Sequence, residues 1–345
     1  MTIEIPVLRL GVAGYTEGQQ KAAADIAAAA ASARATWQLG SFADADAWWL
    51  EGSRTVVMPN QHLRVQPAVP SGRSVQLALA DVDRPVAFTL PVTAPGFRPA
   101  VTFDLGQHKA GVAVLHKFTE WLQAMVSQFA LASSIADHQP TLAAGSWEVL
   151  RGGDLLAVVD LRLGAAVMPG TTCADFAEAG WLIRDHGAVS IPSNFARVSV
   201  SQLMWQYAQR TARDLLPPHY REQKLYFRRP PRLPQRQLRD AHLLLMRELS
   251  ERPGMDFAEL QQATGLGEAQ LVRYLSALYV VGSITSNPKR ASGAGARGAG
   301  GRDSGPPDQS VFNYSMLEPS RPPEERPVVY DRTAPAPLLP DFYKG

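Results

Sequence analysis

The stretch RQLRDAHLLLMRELSERPGMDFAELQQATGLGEAQLVRYLSALYVVGSITSNPKR, residues 236–290, decides the reading of this chain. Over 237–251 the apolar residues Leu238, Ala241, Leu244, Leu245 and Leu249 recur at helical spacing. Pro253-Gly254 stops that helix, because proline cannot continue it and glycine turns freely. Asp256 is placed to cap a second helix with Phe257, Leu260 and Ala263 on one face. Thr264-Gly265-Leu266-Gly267 makes a tight connection. A third helix over 268–280 turns Leu271, Leu275 and Leu278 inward and Glu268, Gln270, Arg273, Tyr274 and Ala277 outward. Residues 282–290 then predict a strand and a basic wing.

This order of elements resembles the winged-helix family and covers about a sixth of the chain. Such units serve as DNA readers or as modules that dock other proteins. For DNA, the resemblance implies base-edge contacts from Gln270 and Arg273 and phosphate contacts from Lys289 and Arg290. That is a thin supply of cations for the charge density of a duplex. Protein docking is therefore the first expectation, and a DNA-binding regulator is the alternative.

Just upstream, 221–239 carries Arg221, Lys224, Arg228, Arg229, Arg232, Arg236 and Arg239 against one acid, Glu222, with Tyr220, Tyr226 and Phe227 interleaved. Arginine beside aromatic rings can grip a phosphate and stack on bases. Arg228, Arg229, Arg232 and Arg236 are thus the candidate anion or nucleotide site. Arg232 and Arg236 have the Arg-x-x-x-Arg spacing of PilZ-type cyclic-dinucleotide binders, although the strand residues completing that pattern do not follow. The simpler reading is a linker stiffened by Pro230-Pro231 and Pro234.

Residues 1–95 alternate strand and helix signals. Residues 7–13 read as a buried strand, Thr16 caps a helix over 17–34, and 36–39 is a second strand. Residues 44–51, with Trp48-Trp49, read as a short helix. A third strand at 54–58 ends in Pro59-Asn60, and strands at 74–79 and 85–90 follow. The pattern predicts a three-layer α/β domain that loosely resembles a response-regulator receiver. A receiver needs acidic residues after its first strand and an aspartate after its third. Gly14-Tyr15 and Pro59-Asn60 stand there, so the resemblance implies a degenerate, docking version. Gly11, Gly14 and Gly18 match no phosphate-binding fingerprint and read as turn glycines.

The predicted fold class is α/β plus α+β. A connector with a long amphipathic helix occupies 96–140, and Val114, Leu115, Phe118, Leu122, Met125, Val126 and Phe129 form a broad apolar stripe over 111–132. The stripe is either core or the seam of a homodimer. Residues 141–218 form a mixed domain. It has an antiparallel meander around Gly152-Gly153, a helix from Thr171 or Thr172 through Leu182, and a helix over 200–215 capped by Ser199. The basic linker and winged unit occupy 219–290. A Gly- and Pro-rich tail over 291–345, with apolar islands at 311–316 and 338–343, is read as disordered.

Composition bounds the rest. Three hundred and forty-five residues exceed one small core, and a net charge of +2 gives no large basic field. One cysteine, Cys173, supports neither a disulfide framework nor a cysteine-built zinc site and suits a cytoplasmic protein. No membrane span or export signal is expected. The seven histidines are scattered without metal-ligand spacing, and no nucleophile elbow is present. No catalytic residue, metal or cofactor is assigned. The expectation is a regulatory adaptor of bacterial signalling type that binds other proteins; DNA and a cyclic dinucleotide are the alternative partners.

Overall fold

A computed structural model describes residues 3–58, 62–69, 72–138, 142, 145–161, 163–185, 190–234 and 237–291. It is mixed α/β, with parallel and antiparallel sheets. The described residues divide into two compact units: residues up to 130 with 168–174, and 131–167 with 175 onward.

The first unit is built on a parallel sheet. β1 (Val7–Ala13), β2 (Thr36–Leu39), β3 (Ala47–Glu51), β7 (Val86–Thr89) and β8 (Thr102–Phe103) lie in the order β2-β1-β3-β7-β8. Every pairing in it is parallel. Between β3 and β7 the chain makes a separate antiparallel sheet of β4 (Thr55–Met58), β5 (His62–Val65) and β6 (Val75–Ala78).

Two expectations are corrected here. Residues 44–51 are not a helix, and the third strand of the main sheet is Ala47–Glu51, not 54–58. Trp48 and Trp49 explain why. Adjacent strand residues point to opposite faces. Trp49 enters the core beneath α1 (Glu17–Ala29) and α2 (His108–Trp121), with Leu8, Leu10, Ile26, Leu115 and Phe118. Trp48 and Leu50 enter the opposite core with Leu63, Leu77, Phe88 and Phe97. A five-residue run buried at every position suits a strand covered on both sides. The third layer is therefore β-structure and loop rather than helix.

Thr16 caps α1 as expected. Its Oγ1 accepts from Gln19 N–H, and Gln19 Oε1 accepts from Thr16 N–H. The long helix predicted over 111–132 is two helices, α2 and α3 (Gln123–His138), parted at Leu122. Val114, Leu115, Phe118, Leu122 and Val126 of its stripe are core within this chain, as ordinary burial requires, rather than an open seam.

In the second unit, β9 (Ser146–Arg151), β10 (Asp154–Asp160) and β11 (Gly164–Val167) form the expected antiparallel meander. α4 spans only Cys173–Ala177, and Trp181 and Leu182 lie on β12 (Gly180–Arg184), an edge strand on β9, not on a helix. β13 (Ala196–Val198) closes the sheet on β11. Ser199 caps α5 (Val200–Ala208) through Gln202 N–H, and α5 ends at Ala208, short of the predicted 215.

The remaining elements are α6 (His219–Glu222), β14 (Tyr226–Phe227), α7 (Asp240–Glu251), α8 (Phe257–Thr264), α9 (Glu268–Val280) and β15 (Ile284–Thr285). Asp256 caps α8 in a reciprocal box with Glu259. The basic stretch before α7 is not a free linker. β14 pairs with β15, Leu225 N–H donates to Met255 O at 2.7 Å, and Arg228 N–H donates to Ser283 O at 2.9 Å. The segment lies as a strand between the α7–α8 turn and β15. α5 packs on α9, and Trp205 of α5 rests on His242 of α7 at 4.4 Å. Residues 292–345, including both apolar islands, lie outside the described residues.

Candidate functional site

In an open parallel sheet, ligands enter the crevice beyond the C-terminal strand ends, where the strand order reverses. Here that point lies between β1 and β3. β1 is followed by Gly14-Tyr15, β3 ends in Glu51, and β7 ends in Thr89. Gly14 turns with φ +82°, and a Cβ there would meet Glu51 Cβ and Val65 Cγ1 at 2.9 Å.

The crevice is filled by the chain's own side chains. Thr89 Oγ1 donates to Glu51 Oε2 at 2.8 Å, Gln19 Nε2 donates to the same oxygen at 3.1 Å, and Ser53 Oγ donates to Oε1 at 2.8 Å. Glu51 and Thr89 are 4% and 1% exposed, and no Lys or Arg pairs with Glu51 among the described residues. The Tyr15 hydroxyl is buried and makes no hydrogen bond of full geometry. Burial pushes its pKa well above the ordinary phenol value, the nearby Thr89 hydroxyl opposes that rise, and the Glu51 charge adds to it.

The residue after the third parallel strand is therefore Glu51-Gly52, not Pro59-Asn60, and Pro59 and Asn60 lie outside the described residues. Gln19, Glu51, Ser53 and Thr89 were not legible as a group in the sequence. The available signal was the five-residue run Ala47–Glu51, too short for a helix and rich in aromatics.

Of the nucleic-acid candidates, Gln270 and Arg273 are exposed on α9. Ala277, expected outward, is buried, as is everything from Leu275 to Val280; α5, α7 and β15 all pack on α9, and Tyr220 of α6 meets Tyr279. Lys289 and Arg290 stand on a short 3-10 turn, Pro288–Arg290, capped by Asn287, so they lie on a turn rather than in a strand hairpin. Of the anion candidates, Arg228 and Arg229 are half-buried beside β15, where both backbone N–H groups face Ser283 O. Arg232 is exposed, and Arg236 lies outside the described residues.

A groove of about 460 Å³ runs beside α9, between it and the loop that follows α5. Arg213, Asp214, Arg221, Glu268, Val272 and Arg273 line it. Arg213 is held by Asp137 at 2.6 Å and Arg221 by Asp214. Arg273 has no ion pair among the described residues.

Among the described residues no three His, Cys, Asp or Glu side chains gather as a metal site, and no helix is long and apolar enough to cross a membrane. Burial pushes the Cys173 thiol up to about 12, with the Glu4 charge adding to the shift. At pH 8 the folded thiol is expected to react with a disulfide reagent at least ~100-fold more slowly than a free cysteine. Stopped-flow thiol titration with and without denaturant checks this; equal rates would contradict it. No family model matches the chain, and neither does any curated protein or solved structure.

Proposed function

We propose that the chain is a non-enzymatic regulatory adaptor that acts by docking other proteins. Its first unit is a receiver-like domain without phosphoryl-transfer chemistry, and 219–290 is a winged-helix docking module. One observation carries the reading: the crevice at the strand ends is occupied by Tyr15, Glu51 and Thr89, all nearly inaccessible. A receiver's chemistry needs acids after the first strand, and Gly14-Tyr15 supplies none. The Glu51 carboxyl is already engaged by three neutral donors, so an incoming phosphoryl group would have to displace them.

Support for docking over DNA reading comes from α9. A recognition helix must stand clear enough to enter a groove about 12 Å wide. Here only its N-terminal turns are open, and Glu268 and Asp214 flank Arg273. Duplex binding is expected to be weak and unselective at about 150 mM salt, and Arg273→Ala should leave it unchanged. Fluorescence anisotropy across a salt series checks this. Sequence-selective, steeply salt-dependent binding lost in Arg273→Ala would establish the DNA regulator instead. For the cyclic-dinucleotide reading, calorimetry should give no heat with the wild type or Arg232→Ala alike; heat lost in the variant would restore it.

A further inference from the structure

Going beyond the docking reading above and independent of it, we propose that a second copy of this chain pairs with β12 edge to edge, the two β12 strands running antiparallel about a two-fold axis at Leu182. β12 is an edge of its five-stranded sheet. β9 pairs with one side of it, and the other side has no strand and no backbone hydrogen bond among the described residues. An open edge is a template for a further strand, and proteins commonly guard it with charge, proline or a bulge. β12 has no such guard. Leu182 and Ile183 are 41% and 53% exposed, on opposite faces of the strand. Its one charged residue, Arg184, is matched within the chain by Glu148 at 3.1 Å.

What selects a second copy is the order of side chains along the strand. Directly opposed residues of antiparallel strands point to the same face, so a two-fold axis normal to the sheet keeps each face continuous. With the axis at Leu182, the midpoint of Gly180–Arg184, all five residues pair. Leu182 meets its own copy, Trp181 meets Ile183 twice, and Arg184 meets Gly180 twice, as an isologous contact requires. An aromatic ring opposite a β-branched side chain is a favourable cross-strand pair, and no like charges stand opposite one another. A Cβ at Gly180 would meet nothing nearer than 4.0 Å, which leaves room for the stem of the opposing Arg184.

The opposite edge of the sheet provides the contrast. β13 has three residues with Arg197 at its centre, so the same operation there would set two guanidiniums face to face. β12 is also held in place beforehand: Trp181 stacks on His138 at 4.7 Å and meets Trp147 at 6.4 Å. Two five-residue edges cover less than the roughly 1,200 Å² of a standard interface, so the association is weak, with a Kd on the order of 10–100 μM.

Sedimentation velocity of the full chain over about 1–300 μM, a range that spans the expected Kd, tests the assignment. The wild type should pass from one chain to two. Leu182→Lys, which sets two ammonium groups at the axis, should stay a single chain throughout, and circular dichroism confirms that it folds. Cysteine pairing under diamide, in a Cys173→Ser background, reads the register separately. Directly opposed residues have Cα atoms about 4.5–5.5 Å apart, within reach of a disulfide, so Leu182→Cys should join two chains. Ile183→Cys would lie about 8 Å from its own copy, beyond that reach, and should not. A single chain at every concentration, association that persists in Leu182→Lys, or equal cross-linking at Ile183 would each overturn the pairing. None of the three bears on docking of other proteins through 219–290, so the two readings fail separately.

Discussion

Gly52→Ala is expected to destabilise the first unit by about 3 kcal/mol or more, a large effect for adding one methyl group. A Cβ at Gly52 would stand 2.2 Å from Thr89 O and 2.8 Å from Pro91 O. Both are backbone oxygens of the neighbouring chain end, so no side chain can swing away. β3 and β7 would have to separate at their last pair, Glu51↔Thr89. That separation also removes the 2.8 Å hydrogen bond from Thr89 Oγ1 to Glu51, leaving a buried carboxyl short of a donor. Gly18→Ala is the control. It lies in α1 with open space where its Cβ would be, and should be neutral or stabilising by about 0.5 kcal/mol. Urea midpoints followed by near-ultraviolet circular dichroism measure both. If Gly52→Ala unfolds at the wild-type midpoint, the two strand ends are not as close as described, and the filled crevice loses its geometric basis.

The second large effect is a loss of stability in mild acid, centred on His242. This ring is fully buried between Trp205, at 4.4 Å, and Tyr274, at 4.8 Å. Its Nδ1 accepts from Arg239 N–H at 3.2 Å, and Nε2 lies 3.1 Å from the Gln209 amide. Burial, helped by the Arg239 charge, lowers its pKa from 6.5 to about 4. The sign follows from which state takes the proton. Below about 6.5 the unfolded ring is charged while the folded ring stays neutral until about 4. The fold is therefore unpenalised above pH 6.5, weakens steadily as pH falls to 4, and weakens no further from this group below that. The full loss is about 3 kcal/mol.

His242→Gln separates this group from the carboxylates that titrate nearby. Glutamine at the third position of a helix can also accept from the cap N–H, so it keeps the bond to Arg239 without titrating. Unfolding free energies from urea titrations at pH 7.5 and 4.5 should differ by about 2.5 kcal/mol less in His242→Gln than in the wild type. An identical pH dependence in both proteins would mean that the ring is not held neutral.

How far the chain could be read in advance follows from the range of the forces involved. Thr16, Ser199 and Asp256 were identifiable as caps because a cap joins a side chain to an N–H two or three residues away, and each of those bonds is present. The meander at Gly152-Gly153 was legible for the same reason: a hairpin turn is a property of its own few residues. Trp48-Trp49-Leu50 was not, since a short apolar run fits a helix or a strand equally well until both of its faces are seen to be covered. A third strand at 54–58 would end at Pro59-Asn60, whereas the parallel strand ends several residues earlier, at Glu51. Tyr226 and Phe227 were read as linker because nothing nearby in sequence pairs with them; β15 lies more than fifty residues on.

The sequence by itself determined the capped helix starts after Thr16, Ser199 and Asp256, the turn at Gly152-Gly153, and the lack of any short-range catalytic or metal-ligand spacing, because each of these depends on residues within a few positions of one another. Only the tertiary structure decided that Ala47–Glu51 is the central strand, that Gln19, Glu51, Ser53 and Thr89 close one crevice, and that the C-terminal half of α9 is buried. Those outcomes depend on burial, and whether a face is buried depends on what the rest of the chain lays against it.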